Sequence, residues 1–146
     1  MTGPFTASAA GAPRGLILFA HGARDPAWAA PFEAVAARLR TQMPHCQVHL
    51  AFLEFMAPTL GEAGVALADA GCREVAIVPM FLGTGGHVRR DLPQLLEQLR
   101  AEHPGVAFAL QPAIGELAPV HEAMAAAIAA MLGSPSSTHA RPSATP

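Results

Sequence analysis

At 146 residues the chain has room for one domain of the usual roughly 100 to 200 residues, with a core that needs no staples. Its composition, 51% hydrophobic and 14% charged, is that of a globular protein, and a net charge of −2 gives no electrostatic case for nucleic acid. The N-terminal stretch has no long apolar segment, and no later run approaches the roughly 18 apolar residues of a membrane span; the expectation is a cytoplasmic protein that engages neither membrane nor nucleic acid.

Residues 1 to 14, rich in Gly, Ala, Pro and Ser, are expected to form a flexible tail, since they offer too little apolar surface to offset the entropy of ordering. GLILFA, 15 to 20, is a continuous apolar run of the kind found in a strand buried on both faces. Asp25 then caps a helix and Pro26 enters its first turn, with Phe32, Val35, Ala36 and Leu39 recurring at helical spacing through about Gln42. The second unit pairs CQVHLAFLE, 46 to 54, with a helix from Pro58 to Gly71, the glycine serving as C-terminal cap. Gly61 and Gly64 weaken that helix by up to about 1 kcal/mol each relative to Ala.

The third unit pairs EVAIVPMFL, 74 to 82, with a helix over 88 to 105. The fourth pairs VAFALQPAI, 106 to 114, with a helix over 116 to 132. Pro79 inside the third run suits an edge or a bulge better than a central ladder position. The tail 133 to 146, GSPSSTHARPSATP, is expected to be disordered. Between the tails, 15 to 132 reads as one α/β domain of three layers, a four-stranded, mainly parallel sheet flanked by helices, because parallel strands need right-handed crossovers.

Ligands of such a sheet gather beyond the carboxyl ends of its strands. His21 follows the first strand, Glu54 the second, and His87 ends the GTGGH loop after the third, at equal intervals of 33 residues. One strand, helix and their loops take about 30 residues, so the period returns each residue to the same rim. Two imidazoles and a carboxylate form a borderline ligand set suited to Co, Ni, Zn or Fe(II), and three protein ligands leave coordination positions open for reaction. Singly, His21 reads as a turn histidine and Glu54 as a solvated loop carboxylate; their shared phase raises the combination above either.

The other histidines carry less. His45 precedes a strand, His49 lies within one, His103 ends a helix, His121 sits on the last helix and His139 in the tail. Cys46 and Cys72 have no metal-type spacing and read as reduced structural thiols. Arg24, Arg89 and Arg90 flank the rim, and arginine binds carboxylates through paired hydrogen bonds.

HGARDPAW (21 to 28), AFLEFMAPTL (51 to 60) and VPMFLGTGGHVRRDLP (78 to 93) together resemble the small CbiX and SirB-type class II chelatases, which insert a metal ion into sirohydrochlorin. The resemblance covers most of 15 to 132. It implies metal-binding and catalytic roles for His21 and His87, and a place at the metal for Glu54. It also implies a short, single-unit form working as a homodimer with a cleft between protomers. The metal, Co²⁺ with Fe²⁺ or Ni²⁺ as alternatives, would be a substrate, and no organic cofactor is expected. Sirohydrochlorin bears many carboxylates, which Arg24, Arg89 or Arg90 would orient, with backbone N–H groups of Thr84, Gly85 and Gly86 binding one acid group at a helix start. Two departures stand out: Ala23 replaces the serine of an HGSRD motif, and the tail is not rich in histidine.

Two other functions compete. A metal carrier or sensor would use the same three ligands without chemistry. A phosphohydrolase or mutase would use the glycine loop, but GxxxxGK[ST] is absent and no RHG precedes the first helix.

Overall fold

The structure is a computed structural model that describes residues 11–83 and 85–133, His87 by its backbone alone. In chain order it contains β1 (Arg14–Ala20), a 3-10 turn (Pro26–Ala29), α1 (Ala30–Gln42), β2 (Cys46–Phe52), α2 (Leu60–Asp69), β3 (Glu74–Pro79), α3 (Gly86–Glu102), β4 (Ala107–Leu110), a second 3-10 turn (Ile114–Glu116) and α4 (Ala118–Met131). The chain divides into two units, Met1–Glu116 and Leu117–Pro146. The first holds the whole sheet; the second holds α4, with a proline in its first turn.

The sheet order is β2-β1-β3-β4 and every pairing is parallel, with Leu18 level with Leu50 on one side and Val78 on the other. Alternate side chains divide between two cores, as the pleat requires. Ile17, Phe19, Val75 and Ile77 pack with Leu67 of α2 and Leu92, Leu96 and Leu99 of α3. Leu16, Leu18, Ala20, Val48 and Leu50 pack with Ala36 of α1, and Trp28, Phe32 and Leu39 close that side. Burial on both faces is why β1 reads as an unbroken apolar run. Val35, placed on the apolar stripe of α1 by spacing alone, is 39% exposed.

Both edge strands are covered in the same way. Arg40 Nε and Nη2 donate to the Val48 carbonyl at 3.3 and 2.8 Å, and Arg100 Nη2 donates to the Phe108 carbonyl at 2.9 Å. In each case a helix sends an arginine over the strand that follows it, blunting an edge open to stray pairing.

Several boundaries differ from expectation. Thr59, not Pro58, caps α2, through a reciprocal box in which Thr59 accepts from the Glu62 N–H and Glu62 accepts from the Thr59 N–H. Gly71, with φ +87°, follows α2 as expected of a C-terminal glycine. Pro79 lies in an inner strand, at its last position. Met80 N–H donates to Phe19 and Gln111 N–H to Ile77, so by alternation the nitrogen of Pro79 faces the β4 side. β4 pairing ends at Ile77 and Leu110, so the lost donor costs the ladder nothing there. His87, expected in the loop, is the second residue of α3.

Candidate functional site

Backbone bonds between loops assemble the rim before any side chain contributes. Leu53 N–H donates to Ala20 and Glu54 N–H to His21 at 2.9 and 3.1 Å, Met80 N–H donates to Phe19, and Gly115 N–H donates to Phe81 at 2.9 Å. The loops after all four strands are thereby tied into one edge. The loop after β2 also folds back on its own strand, with Phe52 N–H donating to the Pro58 carbonyl at 2.9 Å.

On this edge His21 Nε2 lies 3.0 Å from Glu54 Oε1, the two side chains 46% and 49% exposed. Which ring nitrogen carries the proton sets whether the imidazole donates to the carboxylate. An exposed pair of this kind adds only about 0–1 kcal/mol to stability, so stability does not explain its placement. A neutral imidazole nitrogen and a carboxylate oxygen at this distance can share one borderline divalent cation. Among the described residues no third His, Cys, Asp or Glu joins them. The side chain of His87 and the whole of Thr84 lie outside the described residues.

Gly22 makes the pair possible. Its φ is +92°, and a Cβ there would fall 1.9 Å from the carbonyl oxygen of Glu54. Only glycine fits both the left-handed backbone and the approach. Behind the imidazole, the buried Phe81 ring meets it edge-on at 6.4 Å between centroids and meets Phe19 likewise at 6.1 Å. Phe81 is held in turn by Gly115, where a Cβ would fall 2.0 Å from the Leu82 carbonyl oxygen.

None of Gly83, Gly85 and Gly86 has a positive φ, and among the described residues a Cβ at each would meet nothing within 4 Å. Their bareness leaves open space at the start of α3, where Gly85 is the N-cap residue without a side-chain cap. Unsatisfied N–H groups at such an end favour an anion.

The three arginines have different settings. Arg24 is exposed and places its guanidinium 5.1 Å from the centroid of the Phe55 ring. Arg90 Nε donates to the Gly86 carbonyl of its own helix at 3.4 Å. Arg89 lines a cleft of about 280 Å³ with Pro79, Leu92 and Gln111. Cys46 and Cys72 lie far from this chemistry in character: both are buried free thiols whose pKa burial pushes up, which makes them poor nucleophiles and poor ligands.

Sequence reasoning found His21 and Glu54 through their phase but missed Phe81, Gly22 as a steric requirement, and Gly115. Gly22 was visible only as the second letter of HG. Nothing near Gly115 in the sequence marks it, because its constraint comes from Leu82.

Comparison with known proteins identifies the family and the fold. The CbiX family model matches residues 15–131. A sirohydrochlorin cobaltochelatase of Methanococcus maripaludis is 32% identical over 81 residues, 56% of this chain and 56% of its own length. The match therefore spans little more than half of that relative. The structure of SirB from Bacillus subtilis subspecies spizizenii in complex with cobalt shares the fold, with TM-score 0.63 and 20% identity over 70% of this chain and 44% of that one. A putative cobalamin biosynthesis CbiX protein from Marinobacter aquaeolei VT8 has TM-score 0.73 and 31% identity over 82% of this chain and 98% of its own. With its model matched from residue 15 to 131 and one such protein covered almost end to end, the chain belongs to the CbiX family.

Proposed function

We propose that this protein is a metal chelatase that inserts a divalent ion, Co²⁺ first and Fe²⁺ or Ni²⁺ as alternatives, into sirohydrochlorin on the route to cobalamin or siroheme. The observation that carries the reading is the His21–Glu54 pair, 3.0 Å apart on a solvent-facing rim and drawn from residues one strand-helix unit apart. The names of the relatives, one a sirohydrochlorin cobaltochelatase and one a cobalt-bound SirB, support the substrate and the metal.

In this reading His21 and Glu54 receive the hydrated ion, with His87 as third ligand and second catalytic group. Insertion forms metal–nitrogen bonds and releases two pyrrole protons. An imidazole can both ligate a metal and accept a proton. Open coordination positions let macrocycle nitrogens replace water stepwise. Arg24, Arg89 and Arg90 and the backbone N–H groups of Thr84, Gly85 and Gly86 orient the acid side chains of the macrocycle. The cleft beside Arg89, about 280 Å³, is at the low end of ligand pockets, roughly 300–1,000 Å³, so it suits one substituent and not the whole ring. A homodimer in the cytoplasm, with the macrocycle between protomers, completes the proposal.

The test is anaerobic incubation of the purified protein with sirohydrochlorin and each metal, following the visible spectrum. Insertion faster than the uncatalysed rate is expected with Co²⁺. No acceleration with Co²⁺, Fe²⁺ or Ni²⁺ would refute the enzyme, and stoichiometric metal binding alone would leave a carrier.

A further inference from the structure

Of the first unit's large apolar side chains at the surface, Val35 and Val65 are 39% and 45% exposed, while Phe55 and Leu82 reach 58% and 66%. The two most exposed both lie on rim loops, Phe55 next to Glu54 and Leu82 next to Phe81. In the order β2-β1-β3 their loops stand on either side of the one that carries His21. Apolar surface gathered at one place and rimmed by charge marks a binding site more often than scattered apolar residues do.

Phe55 has a second unusual property. Its φ of 65° makes it the only non-glycine residue with positive φ among the described residues, a conformation that costs free energy for a bulky side chain. Burial does not compensate, since more than half of the residue is exposed. The neighbouring Arg24 guanidinium lies 5.1 Å from its ring centroid, a cation held on an aromatic face. A strained, solvent-facing aromatic beside a metal-ligand candidate needs a reason outside the folded chain.

We infer that Phe55, with Leu82 on the opposite flank, is a substrate-contacting residue that packs against the flat apolar face of the macrocycle and presents Arg24 to one of its carboxylates. The inference rests on the chelatase reading and names how that site holds its organic substrate. The ring supplies a rigid contact area, Arg24 supplies the paired hydrogen bonds, and the metal reaches the same edge through His21 and Glu54. The left-handed backbone turns the Phe55 side chain outward immediately after Glu54, so ligand and platform occupy adjacent positions.

The experiment measures binding of metal-free sirohydrochlorin, read from its own absorption, together with KM for sirohydrochlorin, KM for Co²⁺ and the thermal midpoint. Phe55→Gly removes the ring and relieves the backbone. It is expected to weaken sirohydrochlorin binding and raise its KM at least about tenfold, to leave the KM for Co²⁺ within about twofold, and to keep or raise the thermal midpoint. Phe55→Tyr retains wild-type binding, and Val65→Ser, off the rim, changes none of these. Wild-type binding by Phe55→Gly, or an equal rise in both KM values, would overturn the inference while leaving the chelatase standing. A wild-type protein that neither binds nor metallates sirohydrochlorin overturns both. One that binds without metallating removes only the chelatase, and the Phe55→Gly to wild-type binding ratio then decides the platform.

Discussion

Gly22 is the residue on which the geometry of the site turns. Alanine there meets the Glu54 carbonyl oxygen at 1.9 Å and must also adopt φ +92°, so either the β1 loop or Glu54 moves. Gly22→Ala should lose roughly 2 kcal/mol of stability and, because about 1 Å of misplacement can cost 10²-fold in rate, slow metal insertion on that order. Denaturant melts and insertion rates on the same preparation check both. His49 illustrates a titration away from the site: burial first, then Arg40, lowers its pKa from the usual 6.5. The unfolded chain then takes up the proton first, so the stability contribution is complete above about pH 6.5 and is lost as pH falls toward the lower folded value. Thermal midpoints from pH 7.5 to 5 should fall, and His49→Gln should flatten that fall if Val48 keeps its bonds to Arg40.

Among the elements, α2 separates propensity from packing. Gly61 and Gly64 look alike in the sequence as helix-weakening residues, yet a Cβ at Gly61 meets only Thr59 Oγ1 at 3.9 Å, whereas one at Gly64 meets Leu99 Cδ2 at 2.6 Å. Gly64 is where α2 and α3 come together. Gly61→Ala should therefore stabilise by about 0.5 kcal/mol, while Gly64→Ala should destabilise by about 1–3 kcal/mol through overpacking; urea midpoints of the two variants would share a sign if propensity alone mattered. The strands were legible because β1 and β3 are buried on both faces, and a helical entry at Pro26 was legible through the Asp25 cap, whose carboxylate accepts from the Ala27 N–H at 2.9 Å, although that first turn is 3-10 and α1 itself begins at Ala30. The start of α2 was not, since Pro58 and Thr59 both suit a helix entry and only the box with Glu62 decides.

For the whole molecule, the four-stranded parallel sheet turns a 33-residue interval into proximity. His21 and Glu54 were readable as neighbours from phase alone, and they meet at 3.0 Å. Phe55, Phe81, Gly22 and Gly115 were not readable as a group, because each is constrained by a segment distant in sequence: Arg24, His21, Glu54 and Leu82 respectively. Local patterns report what a residue does to its own backbone and say little about what arrives from another loop. Joint action of His21 and Glu54 on the metal would show as coupling in a double-mutant cycle. Initial rates of cobalt insertion into sirohydrochlorin at limiting Co²⁺ would be measured for wild type, His21→Ala, Glu54→Ala and the double variant. The prediction is a loss of at least about 10²-fold for His21→Ala, a smaller loss for Glu54→Ala, and a double variant little worse than His21→Ala alone, as for residues acting as a unit. Full activity in both single variants, or losses that simply multiply, would contradict it.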